Sequence, residues 1–300
     1  MNLAKPLSLQ PIPYQGSKRA LAPRICQFFP SKIDALYEPF AGSAAITIYA
    51  AAHGLAERFV IGDSFIALID LWEMIIDRPN AIAEEYRKIW QAQHRIPEHF
   101  NEIRAEFNQS ADPAQLLYLV ARCVKNAVRF NRNGKFTQSA DKRRKGMRPE
   151  RMARNVHAVS KLLKGRVELF KGDFRDCIRY AGTSDFVYMD PPYQGTSYGR
   201  DKRYAAQMDR DTLIRALHDL DERDVPYLLS YDGRTGNKTY GDPLPSSVNA
   251  QLLELRAGRS SQATLNGIAA ETVESLYVSA SSKQVHAPTP QARSEIRLTA

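Results

Sequence analysis

Short apolar runs that close on an acid or a turn recur along this chain. Ala35-Leu36-Tyr37, Arg58 to Asp63, Val167 to Phe170 and Phe186 to Met189 are too short for helices and read as strands. Between the first two, Ala44 to His53 has helical character and Gly54 closes it; an apolar helix from Phe65 to Ile76 follows the second strand. From Ala81 to Phe107 the pattern is helical, with Ile82, Tyr86, Ile89 and Trp90 on one stripe, and Leu116 to Phe130 continues as a helix. Asn131 to Gly134 is a break, after which Lys135 to Gly146 reads as a polar, irregular loop. Further on come a helix from Asp211 to Arg223 and a strand from Tyr227 to Tyr231. Ala250 to Leu255 and Ser275 to Val278 then form an antiparallel pair connected through Gly258 to Ala270. Beyond Ser279 the composition predicts a loose tail with a short strand at Glu295 to Leu298.

Alternating strands and helices predict an α/β protein with a doubly wound sheet. Asp63 and Asp190, which follow or end two such strands, are 127 positions apart. That exceeds the one or two crossovers expected between neighbouring strands. The excess is a helical stretch, which predicts a catalytic domain formed by residues 1–76 and 167–300 and an inserted subdomain at 77–166.

Composition narrows the class. With 43% apolar residues, 300 residues build a substantial core, and no apolar run is long enough to span a bilayer. Met1 to Ser17 has no signal pattern, and the three cysteines, Cys26, Cys123 and Cys177, suggest neither a disulfide framework nor a metal site. The expected location is the cytoplasm. The net charge of +9 is local in origin: from Val120 to Arg166 there are fifteen lysines and arginines against Asp141 and Glu150, so the rest of the chain is net acidic. Such a cluster is the footprint of a nucleic-acid contact surface, and its candidates include Arg129, Lys135, Lys142, Arg143, Arg144 and Lys145.

The chemistry is carried by the strand ends. Two prolines cannot donate to a sheet ladder, so the strand Phe186 to Met189 stops and Asp190-Pro191-Pro192-Tyr193 sits at its carboxyl end, the edge where α/β sheets bind ligands. A carboxylate and a proline carbonyl can accept hydrogen bonds from an exocyclic amine and localise its lone pair, while a tyrosine stacks on the base. Glu38-Pro39-Phe40-Ala41-Gly42-Ser43 lies between a strand and its helix, where a glycine lets the backbone approach a ligand. Its single glycine makes no pyrophosphate cradle. This suits S-adenosylmethionine, which has a nucleoside and an amino-acid carboxylate but no phosphates. Asp63 is placed to accept from ribose hydroxyls and Asp173 from an adenine amino group; each can equally be a structural turn residue.

In the order of these motifs the chain resembles the DNA adenine-N6 methyltransferases of the Dam-like, D12 class, over most of residues 12 to 279. Pro13-Tyr14-Gln15-Gly16-Ser17-Lys18 is similar to that family's W-x-G-G-K segment, with tyrosine and serine replacing the tryptophan and second glycine; the resemblance places Tyr14 and Lys18 at the cofactor. Glu38 to Ser43 matches E-P-F-x-G-x, Asp63 the ribose-binding acid and Asp190 to Tyr193 the catalytic tetrapeptide. Asn131-Arg132-Asn133-Gly134 resembles N-R-x-G of the recognition region, which adds Arg132 and Asn133 to the nucleic-acid contacts. Arg256 to Tyr277 resembles the closing hairpin. The resemblance implies a Rossmann-like methyltransferase sheet, with 77–166 as target-recognition subdomain.

The reaction this implies is direct transfer of the methyl group to adenine N6 of a flipped base in duplex DNA, without a covalent enzyme intermediate. Gln194 to Tyr204, with Arg200, Lys202 and Arg203, is expected as a loop over that base. The expected state is a monomer, with a cognate restriction endonuclease left open. Rival readings are a cytosine-N4 DNA methyltransferase, an adenine-N6 RNA methyltransferase and, in another class, a non-catalytic nucleic-acid-binding protein.

Overall fold

The computed structural model describes residues 8–192, 209–231, 233–235, 238–239, 242–259, 271–284 and 296–298. Strands β1 (Ala35–Glu38) and β2 (Arg58–Asp63) are parallel neighbours. β3 (Val167–Lys171) adds to β2, β4 (Phe186–Met189) adds to the other side of β1, and β5 (Tyr227–Ser230) adds to β4, all parallel. The chain thus moves outward from β1 to β3 and restarts on the opposite side of β1. Strand order reverses between β1 and β4, and such a reversal opens a crevice at the carboxyl ends of the two strands. The segments after Glu38 and Met189 border it.

Alternate residues of β4 enter different apolar clusters. Phe186 and Tyr188 belong to one, Val187 and Met189 to the other, and all four are fully buried. A strand covered on both faces needs apolar residues at every position, which explains the unbroken run.

Beyond β5 the sheet changes sense. After β6 (Arg234–Thr235) and β7 (Lys238–Thr239), β8 (Ala250–Arg259) and β9 (Glu271–Ser279) form the expected antiparallel pair, and β9 lies antiparallel to β5. β10 (Ile296–Leu298) pairs with β8, completing a ten-stranded mixed sheet in the order β10-β8-β9-β5-β4-β1-β2-β3, with β6 and β7 joined through β9.

A short turn α1 (Ala22–Ile25) precedes β1, and helices α2 (Ala45–Ala52) and α3 (Ile66–Asp77) fall where the sequence predicts them. The helix expected over 81–107 is two, α4 (Pro79–Ala92) and α5 (His99–Ser110). Pro97 disfavours helical backbone at Ile96. Gln93 also turns inward, donating to the carbonyls of Trp90 at 2.8 Å and Lys145 at 3.2 Å. The helix expected over 116–130 is α6 (Pro113–Arg122), capped by Asp112 and stopped early. Lys125 and Asn126 adopt left-handed backbone, and Asn126 Nδ2 donates to the carbonyls of Val120 at 2.9 Å and Ala121 at 3.3 Å.

The stretch 135–146 is more ordered than an irregular loop. It folds back along 122–130, with Thr137 N donating to Arg129 O at 2.9 Å and Asp141 N to Arg122 O at 3.0 Å. The basic run also contains a helix, α7 (Pro149–Leu163), which buries Met152, Val156, Val159 and Leu163. Helices α8 (Phe174–Cys177) and α9 (Arg210–Glu222) complete the α-helices of the described residues. Trp72, Tyr86, Leu117 and Val156 lie in the same apolar cluster as Leu36, Ile61 and Phe186. Residues 77–166 therefore share one core with the sheet.

Candidate active site

The loop after β1 is held from three sides. Ala41 N donates to Gly62 O at 2.9 Å, Gly42 N to Asp63 Oδ2 at 3.2 Å, and Trp72 Nε1 to Gly42 O at 3.1 Å. Gly42 has φ +49°, and a β-carbon there would meet the Tyr14 ring at 3.6 Å. Glycine thus permits the left-handed turn, while the 3.6 Å approach to Tyr14 is ordinary van der Waals contact. Glu38, only 4% exposed, accepts from Thr47 N at 2.8 Å at the start of α2. Burial pushes its carboxyl up to about 7; the Thr47 hydrogen bonds oppose that, and the negative charge of Asp190 adds to it.

Asp63 joins the tips of β1 and β2. Besides Gly42 N it accepts from Phe65 N at 2.9 Å. Burial raises its pKa, against hydrogen bonds from Phe65, Gly42 and Ser64. Asp173, after β3, caps α8 and takes both Nε (2.9 Å) and Nη2 (3.1 Å) of Arg175, whose hydrogen bond lowers the carboxyl's pKa. The Phe40 and Phe174 rings sit 4.9 Å apart beside it.

Asp190 emerges from β4 onto a cation. Lys18 Nζ lies 2.9 Å from Asp190 Oδ1 and 3.6 Å from Glu274 Oε2. Burial works against the ammonium charge, but the two carboxylates more than offset it, and the Lys18 pKa is raised.

These groups surround one cavity of about 350 Å³, a size suited to a small cofactor or ligand. It brings together Tyr14, Lys18, Glu38, Pro39, Phe40, Gly42, Asp63 and Asp173 with Asp190, Pro191 and Pro192. Tyr193 and the segment Gln194 to Tyr204 lie outside the described residues. Sequence reasoning missed Phe65, Phe130, Arg175, Asp209 and Thr212, which also line the cavity. Phe65 and Phe130 meet edge-on at 5.0 Å, contributed by segments 65 positions apart, a pairing that no local pattern carries. Asp209 could have been read as a helix cap: its side chain accepts from Thr212 N at 3.1 Å.

The nucleic-acid candidates divide in two. Phe130 pairs with Phe136, and between them Asn131 to Lys135 forms a tight turn in which the Asn131 side chain accepts from the N–H groups of Asn133 and Lys135. Arg132 and Asn133 are exposed at its tip, next to the cavity wall; Arg129 is half-buried, and Lys135 Nζ donates to Asn108 O. Lys142, Arg143, Arg144 and Lys145 are exposed, with Arg144 paired to Asp141 at 2.7 Å. Some of the basic run is structural: Arg122 donates to Gln93, and Arg166 donates to Ala56 O at 2.7 Å while covering the Phe59 ring. Arg144 instead lines a second cleft, of about 750 Å³, with Arg148, Arg151 and Arg154. This cleft includes Pro13, whose neighbour Tyr14 lines the first cavity.

The DNA adenine methylase of Serratia marcescens is 26% identical over 230 residues, covering 72% of this chain and 81% of that protein. The DNA adenine methylase of Escherichia coli (strain K12) is 26% identical over 227 residues, covering 72% and 78%. Type II methyltransferase M.MjaIII of Methanocaldococcus jannaschii is 25% identical over 212 residues, covering 64% and 72%. The family model for D12 class N6 adenine-specific DNA methyltransferase matches residues 14–261. That match begins at the tyrosine seated over Gly42 and runs past Asp190 through β8, and the chain belongs to the D12 class of N6 adenine-specific DNA methyltransferases.

Proposed function

We propose that the cavity at the tips of β1 to β4 binds S-adenosylmethionine and a flipped adenine of duplex DNA side by side, and that Asp190 acts on the adenine. The observation carrying this reading is that Asp190, Pro191 and Pro192 open into the same cavity as the Gly42 loop, at the strand-order reversal.

The cavity fits the cofactor chemically. The space kept free of a β-carbon at Gly42, the aromatic rings of Tyr14, Phe40 and Phe174 and the carboxylates of Glu38, Asp63 and Asp173 suit an uncharged purine nucleoside. Asp63 already accepts from Gly42, Phe65 and Ser64, yet a carboxylate has about four lone-pair sites and retains capacity for a ribose hydroxyl. When bound, S-adenosylmethionine supplies an electrophilic methyl group on a sulfonium. The chain's own task is the acceptor. Asp190 and the Pro191 carbonyl accept hydrogen bonds from the N6 amine, which localises its lone pair for in-line attack. Tyr193 stacks on the base. Asp190 does not have to be a strong base, because the alkylated amine loses its proton readily.

Duplex DNA is held outside the cavity. The turn carrying Arg132 and Asn133 adjoins the cavity through Phe130, and the Arg148, Arg151 and Arg154 cleft adjoins it through Pro13 and Tyr14. Bases near the target are read at the turn, whereas exposed cations, including Lys142, Arg143 and Lys145, position phosphates. In this reading residues 77–166 are the target-recognition subdomain, sharing a core with the catalytic sheet, and the chain works as a monomer. Relatives of the type II class make a cognate restriction endonuclease one setting for it.

Incubation with methyl-labelled S-adenosylmethionine and duplex DNA, followed by digestion to nucleosides, tests the reading. Label in N6-methyladenine is expected. Label in N4-methylcytosine, preference for RNA, or binding without transfer would each support one of the rivals.

A further inference from the structure

Glu274 has no role in the reaction described above, yet it is the third charge at the catalytic strand tip. Its strand, β9, is separated from β4 by β5. β5 ends at Ser230, which is level with Leu276, so Glu274 lies past the end of β5. From there its carboxylate comes within 3.6 Å of Lys18 Nζ, whose other acid partner, at 2.9 Å, is Asp190. One ammonium therefore serves two carboxylates from different strands. The three side chains are only 8%, 21% and 17% exposed, so their interaction is screened far less than a surface pair's. Among the described residues, Glu38 from β1, which feels the charge of Asp190, and Tyr188 from β4, which faces Lys18, also border this cluster.

Shared charge has a consequence for Asp190. A cation given wholly to Asp190 would draw electron density from the carboxylate that must accept from the adenine amine. Divided between two acids, it fixes the direction of Asp190 while leaving the carboxylate a stronger acceptor. We propose that Glu274 is a positioning residue for methyl transfer, drawing Lys18 across the end of β5 and thereby setting the orientation and accepting strength of Asp190. This rests on the assignment of Asp190 to the acceptor amine.

The test is steady-state methylation of duplex DNA by the full chain, with cofactor affinity measured separately. Glu274→Gln keeps the shape and removes the charge. Its kcat should fall roughly tenfold or more, since about 1 Å of misplacement can cost about a hundredfold, while cofactor affinity stays within a few-fold. The acid limb of kcat should move to lower pH, because Asp190 then no longer shares Lys18 with the Glu274 carboxylate. Lys18→Met should move it to higher pH, because the ammonium between the two carboxylates is then removed. The double variant should return toward the parent. A merely structural role for Glu274 would not produce shifts of opposite sign that cancel. If Lys18→Met does not fold, the Glu274→Gln limb decides alone. An active parent with Glu274→Gln matching it in kcat and acid limb overturns this proposal only, as does a double variant that stays with Lys18→Met. A parent that transfers no methyl group overturns the reading of the cavity and this proposal with it.

Discussion

The N–H of Gly42 donates to Asp63 Oδ2 across 3.2 Å, tying the loop after β1 to the tip of β2. Asp63 therefore shapes this loop as well as lining the cavity proposed for the cofactor. Asp63→Ala should lower stability by about 1–3 kcal/mol, the cost of leaving buried donors without an acceptor. It should also weaken S-adenosylmethionine binding by at least about tenfold, equivalent to the loss of roughly 1.4 kcal/mol. Thermal unfolding and calorimetry measure the two effects. Lost stability with full affinity would make Asp63 a loop tie and nothing more.

Glu38 predicts a pH dependence with a definite sign. Its folded pKa, about 7, is above the ordinary 4.5 because burial disfavours the carboxylate. The folded state therefore binds the extra proton, so this group's contribution to stability is complete below about pH 4.5 and is lost as pH rises through about 7. Glu38→Gln keeps an oxygen for Thr47 N and removes the titration. Between those limits the stability difference between parent and variant should drift against the parent as pH rises. A constant difference would show that Glu38 titrates normally.

The exposed cations should appear in the salt dependence of DNA binding. Every phosphate that a substitution leaves without its cation takes about 0.9 off the log-log slope. Neutralising Lys142, Arg143 and Lys145 should flatten that slope and weaken binding to all duplexes while sequence preference survives. Arg144, already paired with Asp141, should contribute less than its neighbours when added to the set. An unchanged slope would make the segment a bystander.

Tyr193 tests base flipping. Tyr193→Phe should retain most activity and Tyr193→Ala lose much of it, because stacking is worth about 1–3 kcal/mol per base. A duplex with 2-aminopurine at the target position should brighten on binding, and differently with the alanine variant. If phenylalanine is as inactive as alanine, the hydroxyl rather than the ring is what matters.

Local features were legible in the sequence. The strand ending at Asp190 is declared by its prolines, and the loop at Gly42 by a glycine between a strand and a helix. What lay beyond reach was long-range pairing. Lys18 meets Asp190 and Glu274 only because β9 lies beside β5 and β5 ends early, facts of sheet order. Charge counting had a similar limit, since it could not separate Arg122 and Arg166, spent on carbonyls and side chains of the fold, from the exposed Lys142 or Arg143. The helix α7 was hidden for a related reason: its apolar positions at Met152, Val156, Val159 and Leu163 follow helical spacing but sit among arginines and lysines.

The most direct test of the account is Asp190→Ala, measured for cofactor affinity by calorimetry and for methyl transfer to adenine in the same preparation. The carboxylate is assigned to the acceptor amine, so transfer should be abolished while affinity for S-adenosylmethionine stays within a few-fold of the parent. Loss of cofactor binding in Asp190→Ala as large as in Asp63→Ala, or transfer that persists without the carboxylate, would contradict the division of roles on which the account stands.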